Sequence, residues 1–400
     1  MHVLQITPQL PWPPDNGGRM ALYQLVRQIG RHHQLTLLSF CQDDPRDGIP
    51  ELAPFCDNIV TVEDHTGSVF SLLDSISSER PLAMSRFHSR AVAKRAADLC
   101  EQREIDLVHF DHLHTAAYVR ALPPQIPTIL RQHNVESRIL SRYAETAAHR
   151  LLRPLIRSQA RAVARYEATS CARFDRCLAV TPVDAAQLRK LSPSANIDVL
   201  PDGVDTDYFQ PDPRYAPEDQ RVVTTGDYTW GPTRDGLLFL CREVWPEVRQ
   251  RRPEARLTIV GRNIPEEVIR GADQKGLDIA GYVEDVRPEI LRGTLFIAPT
   301  RVGSGIRIKI LEAMALGRPV VATTIGAEGI AAADGHDLRI ADSHMELAGA
   351  IEELLDDRDG REKMAASALE LVRNRYAWDA LGDQLANLYA EVREEKRANG

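Results

Sequence analysis

Short apolar runs alternate with helical patterns along the whole chain, and this alternation constrains the fold more than any other feature. In the first half, the runs Val3 to Ile6, Leu35 to Phe40, Ile59 to Val62, Ile105 to Phe110, Pro127 to Leu130 and Cys177 to Thr181 read as strands. Helical stretches such as Arg19 to Gly30 and Ala91 to Glu101 lie between them. The second half restarts the pattern with Val222 to Thr225, Arg256 to Val260, Leu277 to Ala280, Leu295 to Ala298, Val320 to Ala322 and Leu338 to Ile340. Strand and helix in strict succession predict an α/β protein with parallel sheets covered by helices on both faces.

A chain of 400 residues exceeds what one hydrophobic core supports, so two domains of roughly 200 residues are expected. The stretch from Leu200 to Pro213 is rich in Pro, Asp and Gly and has the composition of a linker. The expected division is therefore 1–200, a linker over 201–213, a second domain over 214–375 and a terminal helix over 376–400. A net charge of −8 argues against a general nucleic-acid binder, since such proteins are usually basic. Cys41, Cys56, Cys100, Cys171, Cys177 and Cys241 are scattered, without zinc-site spacing, and read as reduced thiols of a cytoplasmic protein. A leader and a run of ~18 apolar residues are both missing, so secretion or membrane spanning is not expected.

The stretch from Phe296 to Ile330 carries the most chemistry. It reads as a strand, a glycine loop (Gly303, Ser304, Gly305), a helix to Leu316 and a second strand from Val320 to Thr323. A glycine loop feeding a helix start offers free N–H groups and the positive end of a helix dipole, which suits a phosphate. Arg307 and Lys309 add fixed cations, and Glu312 follows about one turn after Lys309. A helix beginning near Ile308 would let both cations converge on the loop. A nucleoside diphosphate would use the cations for its phosphates and the carboxylate for its ribose.

This segment resembles the donor-site signature of glycosyltransferase family 4, whose members have the GT-B fold and transfer a sugar from a nucleotide diphosphate with retention of configuration. Glu312 and the following Ala313-Met314-Ala315 match, and so does Pro319-Val320-Val321-Ala322-Thr323. The family's usual first glutamate falls on Ser304, and the string Gly303-Ser304-Gly305-x-Arg307-x-Lys309-x-Leu311-Glu312-Ala313 is closer to a branch found among bacterial exopolysaccharide sugar transferases. The resemblance implies two Rossmann-like domains facing a central cleft, with Tyr376 and Trp378 marking where the chain crosses back to its first domain. It places Gly17 and Gly18 near the donor phosphates, although a simple turn would equally use these glycines. His133, just past a strand end, falls where family members carry a histidine that contacts the transferred sugar. His109, His112, His114 and Asp111 crowd the end of the preceding strand as further candidates. Tyr282 and Val283, after Gly281, match the family's contact with the nucleotide base.

Two positions depart from the family. Asp202 replaces the Asn of the Pro-Asn-Gly-Val-Asp hinge, and Asp227 stands where many members place a phosphate-binding Arg, which leaves Arg234 as the only cation of that loop. Arg262 reads equally as a solvated loop residue.

The chemistry expected is a cationic sugar in the transition state and a diphosphate leaving group that gains charge, stabilised by Arg307, Lys309 and the loop N–H groups. The resemblance implies a hexose-type sugar, a glycan or lipid-linked acceptor, and neither cofactor nor metal. Arg150, Arg153, Arg157, Arg161 and Arg165 draw a basic stripe along one helix, with Leu151, Leu152, Leu155, Ile156, Val163 and Tyr166 opposite. That stripe is either a solvated face or a peripheral contact with anionic lipid at the inner face of the plasma membrane. A GT-B nucleotide-sugar epimerase and a non-catalytic nucleotide-sugar-binding protein remain the alternatives, the second suggested by Ser304 and Asp227.

Overall fold

A computed structural model describes residues 1–14, 16–41, 48–63, 81, 84, 89–146 and 152–399. The chain forms two compact units, Met1–Asp202 together with Trp378–Gly400, and Gly203–Ala377.

The first unit is built on a seven-stranded parallel sheet: β1 (His2–Thr7), β2 (Gln34–Cys41), β3 (Asn58–Glu63), β4 (Leu107–Asp111), β5 (Thr128–Gln132), β6 (Arg176–Ala179) and β7 (Ile197–Val199). Its strand order is β3-β2-β1-β4-β5-β6-β7. Central strands are buried along their length, as a sheet covered on both faces requires. The helix Gly17–His32 starts where Asn16 Oδ1 accepts from the Arg19 N–H at 3.0 Å, satisfying one of the free donors of the first turn. The terminal helix Trp378–Asn399 belongs to this unit. Its Trp378, Leu381, Leu385, Tyr389 and Val392 recur at helical spacing and pack with Leu25, Val26, Ile29 and Leu35.

The second unit carries six parallel strands: β8 (Arg221–Asp227), β9 (Arg256–Arg262), β10 (Leu277–Gly281), β11 (Leu295–Ala298), β12 (Val320–Ala322) and β13 (Arg339–Ile340). Their order, β10-β9-β8-β11-β12-β13, repeats the winding of the first sheet. Both are Rossmann-like, and together they make the GT-B architecture. In each sheet the order reverses beside the first strand, between β1 and β4 and between β8 and β11. Ligands of such sheets bind at the carboxyl ends of strands at that reversal.

The helix Arg153–Cys171 departs from the expected apolar face. Val163 and Tyr166 are buried, but Leu152 and Leu155 are 49% and 61% exposed. Its first turns stand clear of the core, so the apolar side there faces solvent. Arg150 and Leu151 lie outside the described residues. Among the described residues no helix is long and apolar enough to cross a membrane.

Candidate active site

In the second unit, the loop after β11 leads into the helix Ile308–Ala315. Gly303 and Gly305 have φ of 156° and 75°, a region that L side chains rarely adopt. A Cβ on Gly303 would lie 2.4 Å from Arg307 Nη2. The reason is that Arg307 folds back over the loop: its Nη1 donates to the carbonyls of Ser304 (2.6 Å) and Gly305 (2.9 Å), and Nη2 to that of Ile325 (3.3 Å).

Lys309 does not join Arg307 on the loop, contrary to the convergence expected above. Helix formation from Ile308 turns it away, and its Nζ donates to Thr225 O near the end of β8 at 3.1 Å. Burial, reinforced by Arg307, pulls its pKa down to about 8, with Glu312 opposing. Glu312, one turn on, is pushed up to about 7 by burial, with Lys309 pulling the other way. Among the described residues its carboxylate has neither a hydrogen-bond donor nor an ion-pair partner within 4.0 Å. The carboxylate is half-buried and open on one side, so its donors come from solvent or from a bound ligand.

Asp227 ends β8 and turns onto its own loop, accepting from Thr229 N–H (3.0 Å) and Oγ1 (2.6 Å). Burial alone would raise its pKa; these bonds bring it below the usual range. Arg234 is exposed in the first turns of the helix Gly231–Phe239, and its guanidinium meets no described acceptor. Tyr282 is 56% exposed with Arg262 4.3 Å above its ring, while Val283 packs against the core. Sequence reasoning missed Arg301, just beyond β11. It pairs with Asp235 through two bonds of 3.0 and 2.7 Å and stacks on Phe239 at 4.4 Å. Its position directly after a strand at the reversal point was the available signal.

In the first unit, Gly17 and Gly18 are helical rather than turn residues, and neither has a positive φ. A Cβ on Gly18 would meet nothing nearer than 3.5 Å, so the simple-turn explanation of these glycines does not hold.

His133 follows β5 and is 6% exposed. Its Nε2 lies 3.3 Å from Asp111 Oδ1 and 2.9 Å from Arg131 Nη1, and its Nδ1 3.6 Å from Asp202 Oδ1. Arg131, fully buried, also pairs with Asp202 at 2.7 Å. Burial and Arg131 work against a charged His133, but Asp202 and Asp111 outweigh them and its pKa is raised. His112 stacks on His133 with ring centroids 4.1 Å apart, and its own backbone is strained at φ 64°. Burial, then the charge of His133, hold His112 well below the usual range. His109 lies inside β4, not beyond it, with Nδ1 2.6 Å from the Tyr389 hydroxyl. His114 ranks behind it, 6.0 Å from His112.

Residues 16–208 match the family model described as Glycosyltransferase Family 4, and residues 219–357 match Glycosyl transferases group 1. Among curated proteins, the chain is 29% identical over 221 residues to a GDP-mannose-dependent alpha-(1-6)-phosphatidylinositol monomannoside mannosyltransferase of Mycobacterium tuberculosis, covering 49% of this chain and 56% of that one. It is 36% identical over 118 residues to an alpha-D-kanosaminyltransferase of Streptomyces kanamyceticus, covering 28% and 30%. The chain spans about half the length of the curated relatives it matches. Among solved structures, sucrose-phosphate synthase from Thermosynechococcus elongatus superposes with a TM-score of 0.75 at 17% identity, covering 98% of this chain and 99% of that one. Anabaena HepE in complex with UDP and glucose does so with a TM-score of 0.70 at 14% identity, covering 97% and 99%. At these identities the superpositions establish the fold.

Proposed function

We infer, from a chain that belongs to the GT-B glycosyltransferases, that the protein moves a hexose-type sugar from a nucleotide diphosphate to a glycan or lipid-linked acceptor with retention of configuration. Cell-surface polysaccharide or glycolipid synthesis is the setting we assign to it. The names of the mannosyltransferase relatives and the UDP and glucose of HepE support a nucleotide-sugar donor. The observation that carries the reading is Glu312: a carboxylate without a protein donor, one turn from Lys309 and behind a glycine loop that opens a helix.

Ribose hydroxyls are the donors Glu312 lacks. Lys309 and the N–H groups of the loop and helix start offset the charge that grows on the diphosphate as the sugar departs. Arg307 supports them by fixing the loop carbonyls inward, which turns the N–H groups outward. Gly303, Ser304 and Gly305 line the phosphates, Arg234 is free to reach them, and Tyr282 with Val283 takes the base. Gly17 and Gly18 we assign to the diphosphate through the free N–H groups that open the helix Gly17–His32, and His133 to the transferred sugar. The scheme needs no cofactor and no metal. Ser304 supplies no carboxyl group, so acid/base epimerisation has no evident second acid, and transfer is the better fit.

Thermal protection by a panel of nucleotide diphosphates and their sugars tests the donor site. The matching nucleotide is expected to raise Tm in the native protein and far less in Glu312→Ala; equal protection of both would remove Glu312 from the ribose. Label passing from the matching donor to a lipid or glycan acceptor supports transfer. Interconversion of the donor without acceptor would overturn it.

A further inference from the structure

We propose that Arg301, oriented by Asp235, is a cation of the donor site and contacts the diphosphate with its Nη1 edge.

The chain prepares this arginine locally. Strand β11 ends in a tight bend in which the Thr300 N–H donates to Ala298 O at 3.0 Å, and Thr300 and Val302 are both buried. With its two neighbours turned inward, the side chain of Arg301 reaches solvent and is 37% exposed. The helix Gly231–Phe239 approaches the same bend. A Cβ on Gly236 would lie 2.7 Å from Pro299 O, so the close approach depends on that glycine. Asp235 and Phe239, four residues apart on one face of the helix, receive the guanidinium together. Asp235 accepts from Nε and Nη2 at 3.0 and 2.7 Å, and the Phe239 ring centroid lies 4.4 Å from the guanidinium carbon.

That arrangement leaves Nη1. Among the described residues it meets no acceptor, and it is not one of the buried atoms. The other cations around the loop are committed to the fold. Arg307 gives Nη1 and Nη2 to three backbone carbonyls, and Lys309 donates to Thr225 O. A diphosphate carries several negative charges and needs donors that the fold has not already satisfied. Arg301 holds such a donor two residues before Gly303, at the carboxyl end of β11 and beside the reversal of the sheet, where ligands of such sheets bind.

An ion pair as exposed as this one adds little to stability. What the two-point contact with Asp235 does is hold the guanidinium in one orientation before the ligand arrives. The carboxylate offsets the charge of the empty site, and Nη1 is the positive end of the resulting dipole. No ordering of the side chain is then required as charge grows on the leaving group. This assignment rests on the transferase reading.

Arginine modification tests it on the unmodified full chain. Phenylglyoxal is expected to label Arg301 in the free protein, read by peptide mass spectrometry. From a panel of ADP, GDP, UDP and dTDP, the tightest binder at ten times its Kd is expected to slow that labelling about tenfold, and its nucleoside is not. By calorimetry, Arg301→Gln is expected to weaken binding of the same diphosphate about tenfold and that of the nucleoside less than about twofold. Arg301→Lys keeps the charge and is expected to recover part of the loss. A bound diphosphate that leaves Arg301 fully reactive overturns the proposal whether or not the variants fold. So does a folded Arg301→Gln with native diphosphate affinity, including one whose sole defect is a raised KM for an anionic acceptor. A protein that binds none of the panel would sink the donor reading itself, and this assignment with it.

Discussion

Arg307 donates from one nitrogen, Nη1, to two successive loop carbonyls, those of Ser304 at 2.6 Å and Gly305 at 2.9 Å. With Nη2 on Ile325, the planar guanidinium ties three carbonyls that would otherwise compete for the space beside the loop. An ammonium cannot span that set. Arg307→Lys is therefore expected to lower stability by about 1–3 kcal/mol, because buried acceptors lose their donors. It should also weaken donor binding at least about tenfold, since the loop is no longer held open. Calorimetric titration with the nucleotide checks the second figure. Unchanged affinity with lowered Tm would confine Arg307 to folding.

Lys309 gives the donor site a pH dependence with a definite sign. Its pKa of about 8 in the free protein means the cation is largely present at pH 7 and lost as the pH rises through 8. A bound diphosphate favours the charged form, so binding takes up a proton near pH 8. Donor Kd should be lowest between the pKa values of Glu312 and Lys309, about 7 and about 8, rising above pH 8 as Lys309 loses its charge, approaching tenfold per unit, and rising below pH 7 as the Glu312 carboxylate is protonated. Titrations in two buffers of different ionisation enthalpy measure the proton taken up. In Lys309→Met the uptake should vanish; if it persists, another group is titrating.

Strands and winding were legible in the sequence because each apolar run is bounded by polar helices, and the runs around β1, β2, β8 and β11 were placed to within a residue or two. Strand β7 was missed: Ile197–Val199 is three residues long and interrupted by Asp198. The glycine loop could be read because its partner Arg307 is close in sequence, and Glu312 because it stands one turn after Lys309. Arg131 and Lys309 could not be placed the same way, since their acceptors lie 71 and 84 positions away, on Asp202 and Thr225. The helix wheel of residues 153–171 also misled, for periodicity shows which side chains share a face but not how far along the helix the core extends.

Glu167 links the helix Arg153–Cys171 to the segment after His133. Its Oε1 accepts from the N–H groups of Glu136 (2.7 Å) and Ser137 (3.4 Å) at the start of the helix Glu136–Thr146, while Oε2 is buried without a partner. Burial raises its pKa to about 7, despite the lowering by these donors. An acid whose folded pKa exceeds its unfolded one binds more protons when folded, so its contribution to stability falls as pH rises from about 4.5 to 7. Glu167→Gln keeps the acceptor and removes the titration. Its Tm should fall less steeply between pH 5 and pH 7 than that of the native protein, and parallel curves would exclude Glu167 as the source of the slope.

The exposed start of the helix Arg153–Cys171 makes the lipid contact testable. Leu152 and Leu155 stand in solvent on the side of the helix opposite the exposed Arg157 and Arg161, whose long stems can bend back toward a surface the leucines enter. Inserting a leucine into a bilayer's apolar region gains about 1.5–3 kcal/mol, and each arginine near an anionic surface about 1 kcal/mol. Two of each are enough for reversible binding to vesicles rich in anionic lipid. Leu155→Asp replaces the more exposed leucine with a charge of the wrong sign, so partitioning should drop by roughly tenfold to a hundredfold. Arg157→Gln with Arg161→Gln should drop it on anionic vesicles alone, and added salt should mimic that loss. Turnover with a water-soluble acceptor should be unaffected in both variants, because none of these side chains reaches the candidate site residues. Sedimentation with anionic and with zwitterionic vesicles reads the result directly. Equal binding to both, or none to either, would return the stripe to a solvated helix face.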